Sequence, residues 1–217
     1  MMPVGGSDIS PWRSIWRSPA LTIRNALGST STPTLLFLGA VGGVAQAFAR
    51  EATKNSGVRV PAWALVAGAI LVGSTYGVLQ LYLLSTLLYW TGRLTGAVAP
   101  FRSVQIVVGW SNAPFAANLV LWLVATPLVG RHLFVFDPTL IQFESPARSL
   151  LVGFAWLMTM CTFALSGAWS MLILVQGMAE VNGFSVWRAL GILVLALLTV
   201  TSTVFLVVPI VAHVLRH

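Results

Sequence analysis

Few side chains in this sequence could act as nucleophiles, acids, bases or metal ligands. The 217 residues include three histidines, five acidic residues and one cysteine. Ser166, in the sequence ALSG, could act as the nucleophile of a serine protease if His213 served as its base. His132, His213 and His217 lack the spacing of a metal-ligand set, and Cys161 stands alone in an apolar run. Catalysis would therefore depend on contact between Ser166 and His213.

The composition indicates whether these residues lie in water or in lipid. Hydrophobic residues make up 57% of the chain and charged residues 8%, and the mean hydropathy is +0.88. A soluble domain could not cover its surface with so few polar residues, so the composition predicts a membrane protein. The net charge of +7 comes from arginines scattered between apolar runs, which suits lipid headgroups and not nucleic acid. The first residues lack the apolar core of a cleavable signal peptide, so we expect the N-terminus to be retained.

Long uncharged stretches predict the membrane spans. Arg59 and Arg93 enclose 33 uncharged residues, and Arg102 and Arg131 enclose 28. Arg148 and Glu180 enclose 31, and Arg188 and Arg216 enclose 27. A spanning helix needs about 20 apolar residues, so each stretch holds one. Residues 34–49 predict a shorter first span, whose glycines suit close packing: Gly39, Gly42 and Gly43. The sequence thus predicts an all-α bundle of five spans over residues 34–217, preceded by an N-terminal segment over residues 1–33.

Depth in the membrane argues against catalysis by Ser166. This residue lies 14 positions before Glu180, about 21 Å, whereas His213 lies 25 positions beyond Arg188, about 37 Å. Because Glu180 and Arg188 lie at one membrane face, the two side chains differ in depth by about 16 Å. A base must lie within hydrogen-bond reach of its nucleophile. We therefore expect no enzyme, no catalytic residue, no bound metal and no cofactor.

Residues 11–27 (PWRSIWRSPALTIRNAL) have the pattern of an amphipathic helix. The apolar face is formed by Trp12, Ile15, Trp16, Ile23 and Leu27. The adjacent basic face is formed by Arg13, Arg17 and Arg24. The pattern predicts an interfacial helix with Trp12 and Trp16 as anchors and with Arg13 and Arg17 on lipid phosphate. Pro19 could kink or split this helix. The alternative is a loop that is amphipathic by chance.

Polar residues stand inside the spans at one depth. They lie 10 to 13 positions from the charges at one face, about 15 to 20 Å: Gln80, Asn112, Ser170 and Thr199. Pro114 crowds the carbonyl of Trp110, so we predict a kink that leaves this carbonyl unpaired. Asn112 should face the bundle interior and meet Gln80 or Ser170 from neighbouring spans. Its amide can cross-link helices there or help satisfy the loosened backbone. This cluster is either polar packing at a kink or a pocket for a lipid headgroup or small solute.

Glu180 ends the fourth span on a face that also carries three arginines, Arg93, Arg102 and Arg188. This arrangement predicts an interfacial ion pair or a solvated carboxylate. The alternative is a contact that binds a partner or gates a path. Basic residues divide six against six between the two faces, so the positive-inside rule gives no orientation.

Three stretches occur in the order and spacing of a known family: PWRSIWRSPALTIRNAL, LLYWTGRLTGAVAPFRSVQIVVGWSNAPFAANLVLWLV and WSMLILVQGMAEVNGFSVWRALGILV. They resemble the Yip domain family of Ypt/Rab-interacting membrane proteins over residues 11–200, most specifically in GWSNAP and QGMAEVNGFSVWRAL. The resemblance implies five spans and a cytosolic N-terminus, with His217 on the other side. The lack of the long N-terminal region of eukaryotic members, together with arginine in place of lysine, favours a prokaryotic-type member in a bacterial cytoplasmic (inner) membrane.

Two functions are compatible with these residues. The first is a trafficking-like scaffold or adaptor, which binds membrane lipids and an unknown membrane protein and could form a homo-oligomer. The second is a small transporter or lipid-handling protein with a polar pocket in the membrane. Proton or ion coupling normally needs ionisable residues inside the spans, and Glu180, near one end, is the only one there. This scarcity favours the scaffold.

Overall fold

A computed structural model describes residues 11–137, 139 and 145–214, with side chains up to residue 203. The chain begins with two short helices, α1 (Pro11–Ser14) and α2 (Pro19–Ser29). The longer elements follow in the order α3 (Thr32–Thr53), α4 (Ala62–Gly68), a π-helical segment (Ala69–Gly73), α5 (Ser74–Leu94), α6 (Phe101–Ser111), α7 (Pro114–Val129), α8 (Pro146–Asn182) and α9 (Val186–Val214). Single turns of 3-10 helix precede α4 and follow α7, at Ser56–Val58 and Gly130–Phe134.

Among the described residues, five helical stretches have the length and composition of a membrane span: Thr32–Thr53, Ala62–Leu94, Phe101–Phe134, Pro146–Asn182 and Val186–Thr203. They confirm the predicted all-α bundle of five spans. The first span is longer than residues 34–49, because α3 continues through Arg50 and Glu51 and ends before Asn55, whose backbone is left-handed (φ 58°). His217, which we predict to lie outside the cell, is beyond the described residues.

Local signals explain where several of these helices start and stop. Proline stands in the first turn of α2, α3, α7 and α8, where a missing amide proton leaves no helical bond unmade. The hydroxyl groups of Ser31 and Ser145 accept hydrogen bonds from the first turns of α3 and α8. Gly183, with φ 64°, ends α8 in the left-handed conformation that glycine adopts without strain. The helix breaks therefore fall between the apolar runs.

Glycines bring the backbone of α3 into direct contact with the second span. A Cβ atom on Gly43 would overlap the carbonyl oxygen of Gly73 and would lie 2.5 Å from the Cα atom of Gly77. A Cβ atom on Gly77 would overlap the carbonyl oxygen of Gly39. Backbones can approach so closely only where both helices have glycine at the contact, as is common between helices in lipid. The close packing predicted for the glycines of the first span is therefore present.

Two hydrophobic clusters fill the bundle, one toward each membrane face. The cluster beside the N-terminal helices includes Ile15, Ile23, Val107, Ile173 and Met178. The other is built on the stacked rings of Phe48, Trp122 and Phe134, whose centroids are 5.5 and 5.8 Å apart. Large apolar side chains outside both clusters stay exposed, such as Leu71 at 70% and Leu150 at 75%. An apolar outer surface of this kind is expected where helices face lipid.

We expect Gly77→Ala to destabilise the bundle, because the added methyl group would push α3 and α5 apart. Overpacking of a tight contact costs about 1–3 kcal/mol, so thermal unfolding of the detergent-solubilised protein should begin several degrees lower. Gly153→Ala in α8 is the matched control, since a Cβ atom there meets nothing within 4 Å. This control should leave the unfolding midpoint unchanged or slightly raised. Equal midpoints for the two variants would contradict the importance of the contact.

Candidate functional site

Three of the predicted polar residues line one hollow between the helices, which we call the central cavity. It is partly open to the outside, where Met171 is 60% exposed. Gln80 of α5, Asn112 at the end of α6 and Ser170 of α8 surround a space of about 330 Å³, together with Gln46 of α3. The rest of the lining is mostly apolar and includes Leu81, Leu84, Phe115, Phe163 and Met171. Among the described residues that line it, none has an ionisable side chain. The cavity therefore offers amide and hydroxyl groups for hydrogen bonding but no group for proton transfer at neutral pH.

Pro114 divides the third span into α6 and α7, as the sequence predicts. The amide of Ala113 donates a hydrogen bond to the carbonyl of Trp110, three residues earlier, at 3.0 Å. This tighter, 3-10-type bond occupies the acceptor that Pro114 cannot serve. The prediction that the carbonyl of Trp110 would be unpaired is therefore wrong.

The carbonyl that the kink frees is that of Val108. The backbone amide of Asn112 donates to the residue three positions earlier instead of to Val108. The Val108 carbonyl accepts instead from the Nδ2 of Asn112, at 2.9 Å, and from the Oγ of Ser111, at 2.8 Å. Two polar residues of GWSNAP thus satisfy the loosened backbone, which has no water partner in a bilayer core. Among the described hydrogen bonds, none joins Asn112 to Gln80 or Ser170, so the predicted bond between helices does not form.

Gly42 gives the Asn112 amide its place against α3. A Cβ atom on Gly42 would overlap the Oδ1 of Asn112 and would lie 3.1 Å from its Cβ. The Asn112 side chain is half-buried and faces the bundle interior, as the sequence predicts. Gly42 therefore makes room for a polar side chain, whereas Gly39 and Gly43 make room for a helix backbone.

Two other residues singled out in the sequence lie outside the cavity. Thr199 is exposed on α9 and donates to the carbonyl of Leu195 at 2.8 Å, so it does not join the polar cluster. Ser166 is buried and donates to the carbonyl of Pro114 at 3.1 Å, which holds α8 against the kink. The side chain of His213 lies outside the described residues. Ser166 thus takes part in helix packing.

The N-terminal segment forms two helices, not one, because Pro19 starts a new helix after a turn. We call residues 11–29, which comprise α1, α2 and the turn between them, the N-terminal pair. Its Ile15 and Ile23 are fully buried against α6 and α8, where Ile23 approaches Gly177 of α8. The pair is therefore docked on the bundle through the apolar face that the helical pattern predicts.

The four aromatic and basic residues predicted at the interface are on the outer side of the N-terminal pair. Trp12 is 39% exposed and lies edge-on to Trp110, with ring centroids 5.4 Å apart. Trp16 is 43% exposed and stacks on Trp169 at 6.3 Å. Arg13 and Arg17 are exposed as well. Contact of these side chains with lipid stays a prediction.

Glu180 forms an ion pair with the N-terminal pair. The Nε of Arg24 donates to the Oε1 of Glu180 at 2.6 Å, and the Arg24 side chain is 64% exposed. The hydrogen bond and the negative charge of Glu180 raise the pKa of Arg24. The sequence predicts an ion pair here, but it points to Arg93, Arg102 or Arg188 as the partner. The pairing with Arg24, 156 positions away, becomes visible only in the folded chain.

Two buried asparagines that join helices are not apparent from the sequence. Asn118 of α7 is fully buried and donates its Nδ2 to the carbonyl of Thr159 in α8 at 2.9 Å. The Oδ1 of Asn182, at the end of α8, accepts from the amide of Ala99 at 3.0 Å. The signal for Asn118 was its place in the same apolar run as Asn112. Both residues satisfy backbone groups of a neighbouring segment.

Sequence comparison places this architecture in a family. A family model described as the Yip1 domain matches residues 13–208. The chain belongs to the Yip1 domain family. The match covers most of the N-terminal pair, the kink and all five helices that could cross a membrane, so this Yip1 protein is an integral membrane protein. Comparisons with curated proteins and with solved structures gave no match.

We expect Ile23→Ala to loosen the N-terminal pair of this Yip1 protein. Loss of a buried isoleucine side chain costs about 2–5 kcal/mol, so trypsin should cut at Arg13 and Arg17 several times faster. Leu21→Ala, at a 55% exposed position of the same helix, is the control and should leave the rate unchanged. Glu180→Gln should have a smaller effect than Ile23→Ala, since an exposed ion pair contributes under about 1 kcal/mol. Faster cleavage in the Leu21 variant than in the Ile23 variant would contradict the docking.

Proposed function

We propose that this protein is a non-enzymatic membrane scaffold or adaptor that binds other membrane proteins and organises lipid around them. The observation that carries the proposal is the docked N-terminal pair. One side of the pair is buried on the bundle through Ile15 and Ile23, while the other side exposes two tryptophans and two arginines. Aromatic and arginine side chains are enriched where proteins bind one another and where they meet lipid headgroups.

The outer surface of the N-terminal pair is held in a fixed arrangement. Trp12 and Trp16 each contact a tryptophan of the bundle, and the indole of Trp169 donates to the carbonyl of Ile15 at 3.4 Å. A surface that is ordered before binding loses less conformational entropy when a partner arrives. This preorganisation supports a binding role for Trp12, Arg13, Trp16 and Arg17.

A scaffold also accords with the lack of charge inside the bundle. The described lining of the central cavity has no ionisable group, whereas coupled transport normally depends on such groups. Ser166, the one candidate nucleophile, is engaged with the carbonyl of Pro114. These contacts support binding and packing over chemistry.

The proposal places this Yip1 protein in the cytoplasmic (inner) membrane of a bacterium, with its N-terminus in the cytoplasm. The family resemblance supports the orientation, and the predominance of arginine over lysine supports a prokaryotic-type member. The N-terminal pair would then face cytoplasmic partners and the inner leaflet. Association of several copies of the chain is compatible with this arrangement.

Photo-crosslinking tests the scaffold. Benzoylphenylalanine in place of Trp16 should give a discrete crosslinked product in native membranes, whereas the same group at Trp63, 75% exposed near the opposite face, should not give that product. Arg13→Gln with Arg17→Gln should lower the yield at least about threefold, because paired charges and arginine contacts are lost. The same crosslinked product at Trp16 and Trp63 would contradict the proposal. A yield that is unchanged when both arginines are replaced would contradict it as well.

A single-cysteine variant tests the orientation in the same membranes. Leu21→Cys in a Cys161→Ser background should react with an impermeant maleimide in inverted vesicles and not in intact spheroplasts. Reaction in spheroplasts would place the N-terminal pair outside the cell.

The central cavity supports a second candidate, a lipid-handling protein or small transporter. This candidate is favoured because one space of about 330 Å³ is lined by polar side chains, among them those of Gln46, Gln80, Asn112 and Ser170. Amide groups at this depth could hold the glycerol or ester portion of a lipid, or a small neutral solute.

We expect Gln80→Leu to separate this candidate from simple packing. Gln80 lines the cavity but has no hydrogen-bond partner among the described residues, so its loss should change the unfolding midpoint little. If the cavity only results from packing, the variant should also complement a deletion strain fully. A stable protein that fails to complement would support the lipid-handling candidate. Asn112→Leu is the contrasting variant, because removing the Val108 contact should cost about 1 kcal/mol of stability.

A further inference from the structure

A second hollow lies on the side of the bundle remote from the N-terminal pair. It is a groove of about 330 Å³ between α3 and the first part of the second span. Its inner end is formed by Gly43 and Gly73, and its wall is formed by small and aliphatic residues such as Ala47, Leu65, Ala69 and Val72. The groove shares Gln46 with the central cavity, and none of its described lining residues belongs to the N-terminal pair.

The shape of the groove follows from how the two helices meet. At Gly43 and Gly73 the backbones touch, whereas α3 has few contacts with α4, so the helices diverge toward the membrane face. The π-helical segment Ala69–Gly73 lies along this opening, and such segments are frequent at functional sites. Gly68 leaves the wall open, because a Cβ atom there would meet nothing within 4 Å.

Charged residues stand at the outer end of the groove. Arg50 and Lys54 are exposed there, and the guanidinium of Arg50 lies 5.1 Å from the ring centre of Tyr76. Glu51 also lines the groove, where it accepts from the hydroxyl of Ser56 and lies 3.7 Å from the Nζ of Lys54. Two positive charges and one negative charge give this end a net charge of +1. A single anionic group therefore complements it.

We propose that this groove binds one phospholipid with an anionic headgroup. The phosphate contacts Arg50 and Lys54, which have donors free to bind it because Glu51 uses at most one donor of Lys54. An acyl chain lies along Ala47, Leu65 and Val72 toward the glycines. A free phosphate would leave this apolar wall uncovered, and lipid is the component that surrounds a membrane span.

The groove proposal does not depend on the scaffold. It concerns α3, α4 and the π-helical segment, whereas the scaffold proposal concerns the outer side of α1 and α2. Loss of the crosslink at Trp16 would leave the lipid site unaffected. Loss of lipid binding would equally leave the scaffold surface intact.

Native mass spectrometry of the full-length protein in detergent tests the site. The probes are phosphatidylglycerol and phosphatidylcholine with identical acyl chains, and glycerol phosphate, which has the anionic group without chains. We expect one phosphatidylglycerol to be retained about tenfold more tightly than phosphatidylcholine, as one or two charge-assisted hydrogen bonds would produce. Glycerol phosphate should not be retained. Retention of glycerol phosphate would show an ion site and overturn the lipid proposal.

A charge pair and its matched control identify the headgroup contacts. Arg50→Gln with Lys54→Gln should abolish the preference for phosphatidylglycerol. Arg59→Gln with Arg131→Gln removes the same charge from exposed positions on the same face, outside the groove, and should keep the preference. Equal loss in both double variants would show a general surface-charge effect and overturn the site.

A third variant keeps the test decisive if removing the charges impairs folding. Gly68→Leu adds a side chain to the groove wall, at a position where a Cβ atom meets nothing within 4 Å. It should weaken retention of both lipids about tenfold, because the side chain takes space that the acyl chain would use. Gly153→Leu, at an equally open glycine of α8, is the control and should retain lipid normally. Unchanged retention in Gly68→Leu, or a change in its oligomeric mass in place of lipid loss, would overturn the proposal.

Discussion

The contact between the glycines of the first span and those of the second span sets the geometry of the bundle. Gly39 and Gly43 of α3 meet Gly73 and Gly77 backbone to backbone, which is possible only because all four lack side chains. The same residues shape both hollows: Gly43 and Gly73 close the groove, and Gly77 lines the central cavity. A change at this contact would therefore alter the packing and both candidate binding sites together.

The second constraint is that a kinked helix in lipid must satisfy its own backbone. Pro114 shifts the hydrogen bonds before it to tighter ones, and Ser111 and Asn112 then bond the carbonyl of Val108. Ser166 bonds the carbonyl of Pro114 from α8. These polar side chains therefore satisfy backbone groups at the kink. The cavity arises beside them, since Asn112 is held against Gly42 with its amide facing the interior.

The two faces of the protein are specialised differently. One face carries the N-terminal pair, which is fixed by Ile15, Ile23 and the Arg24–Glu180 pair and exposes tryptophan and arginine. The other face carries a charged groove beside Arg50 and Lys54. The described part of the central cavity has no ionisable lining. The charged residues named here therefore lie toward the two ends of the bundle.

The five spans, the kink at Pro114 and the role of the glycines in close packing were predictable from the amino-acid sequence. These features follow from run length, from the missing amide of proline and from the missing side chain of glycine, all of which act locally. The folded chain was needed to show that Glu180 pairs with Arg24, that Asn112 bonds the backbone and not Gln80 or Ser170, and that Thr199 lies away from the cluster. It was also needed to show that Ile15 and Ile23 dock on the bundle. An apolar face has the same pattern whether it meets lipid or protein, and depth along a helix does not fix the direction of a side chain, so these choices depend on how the helices pack.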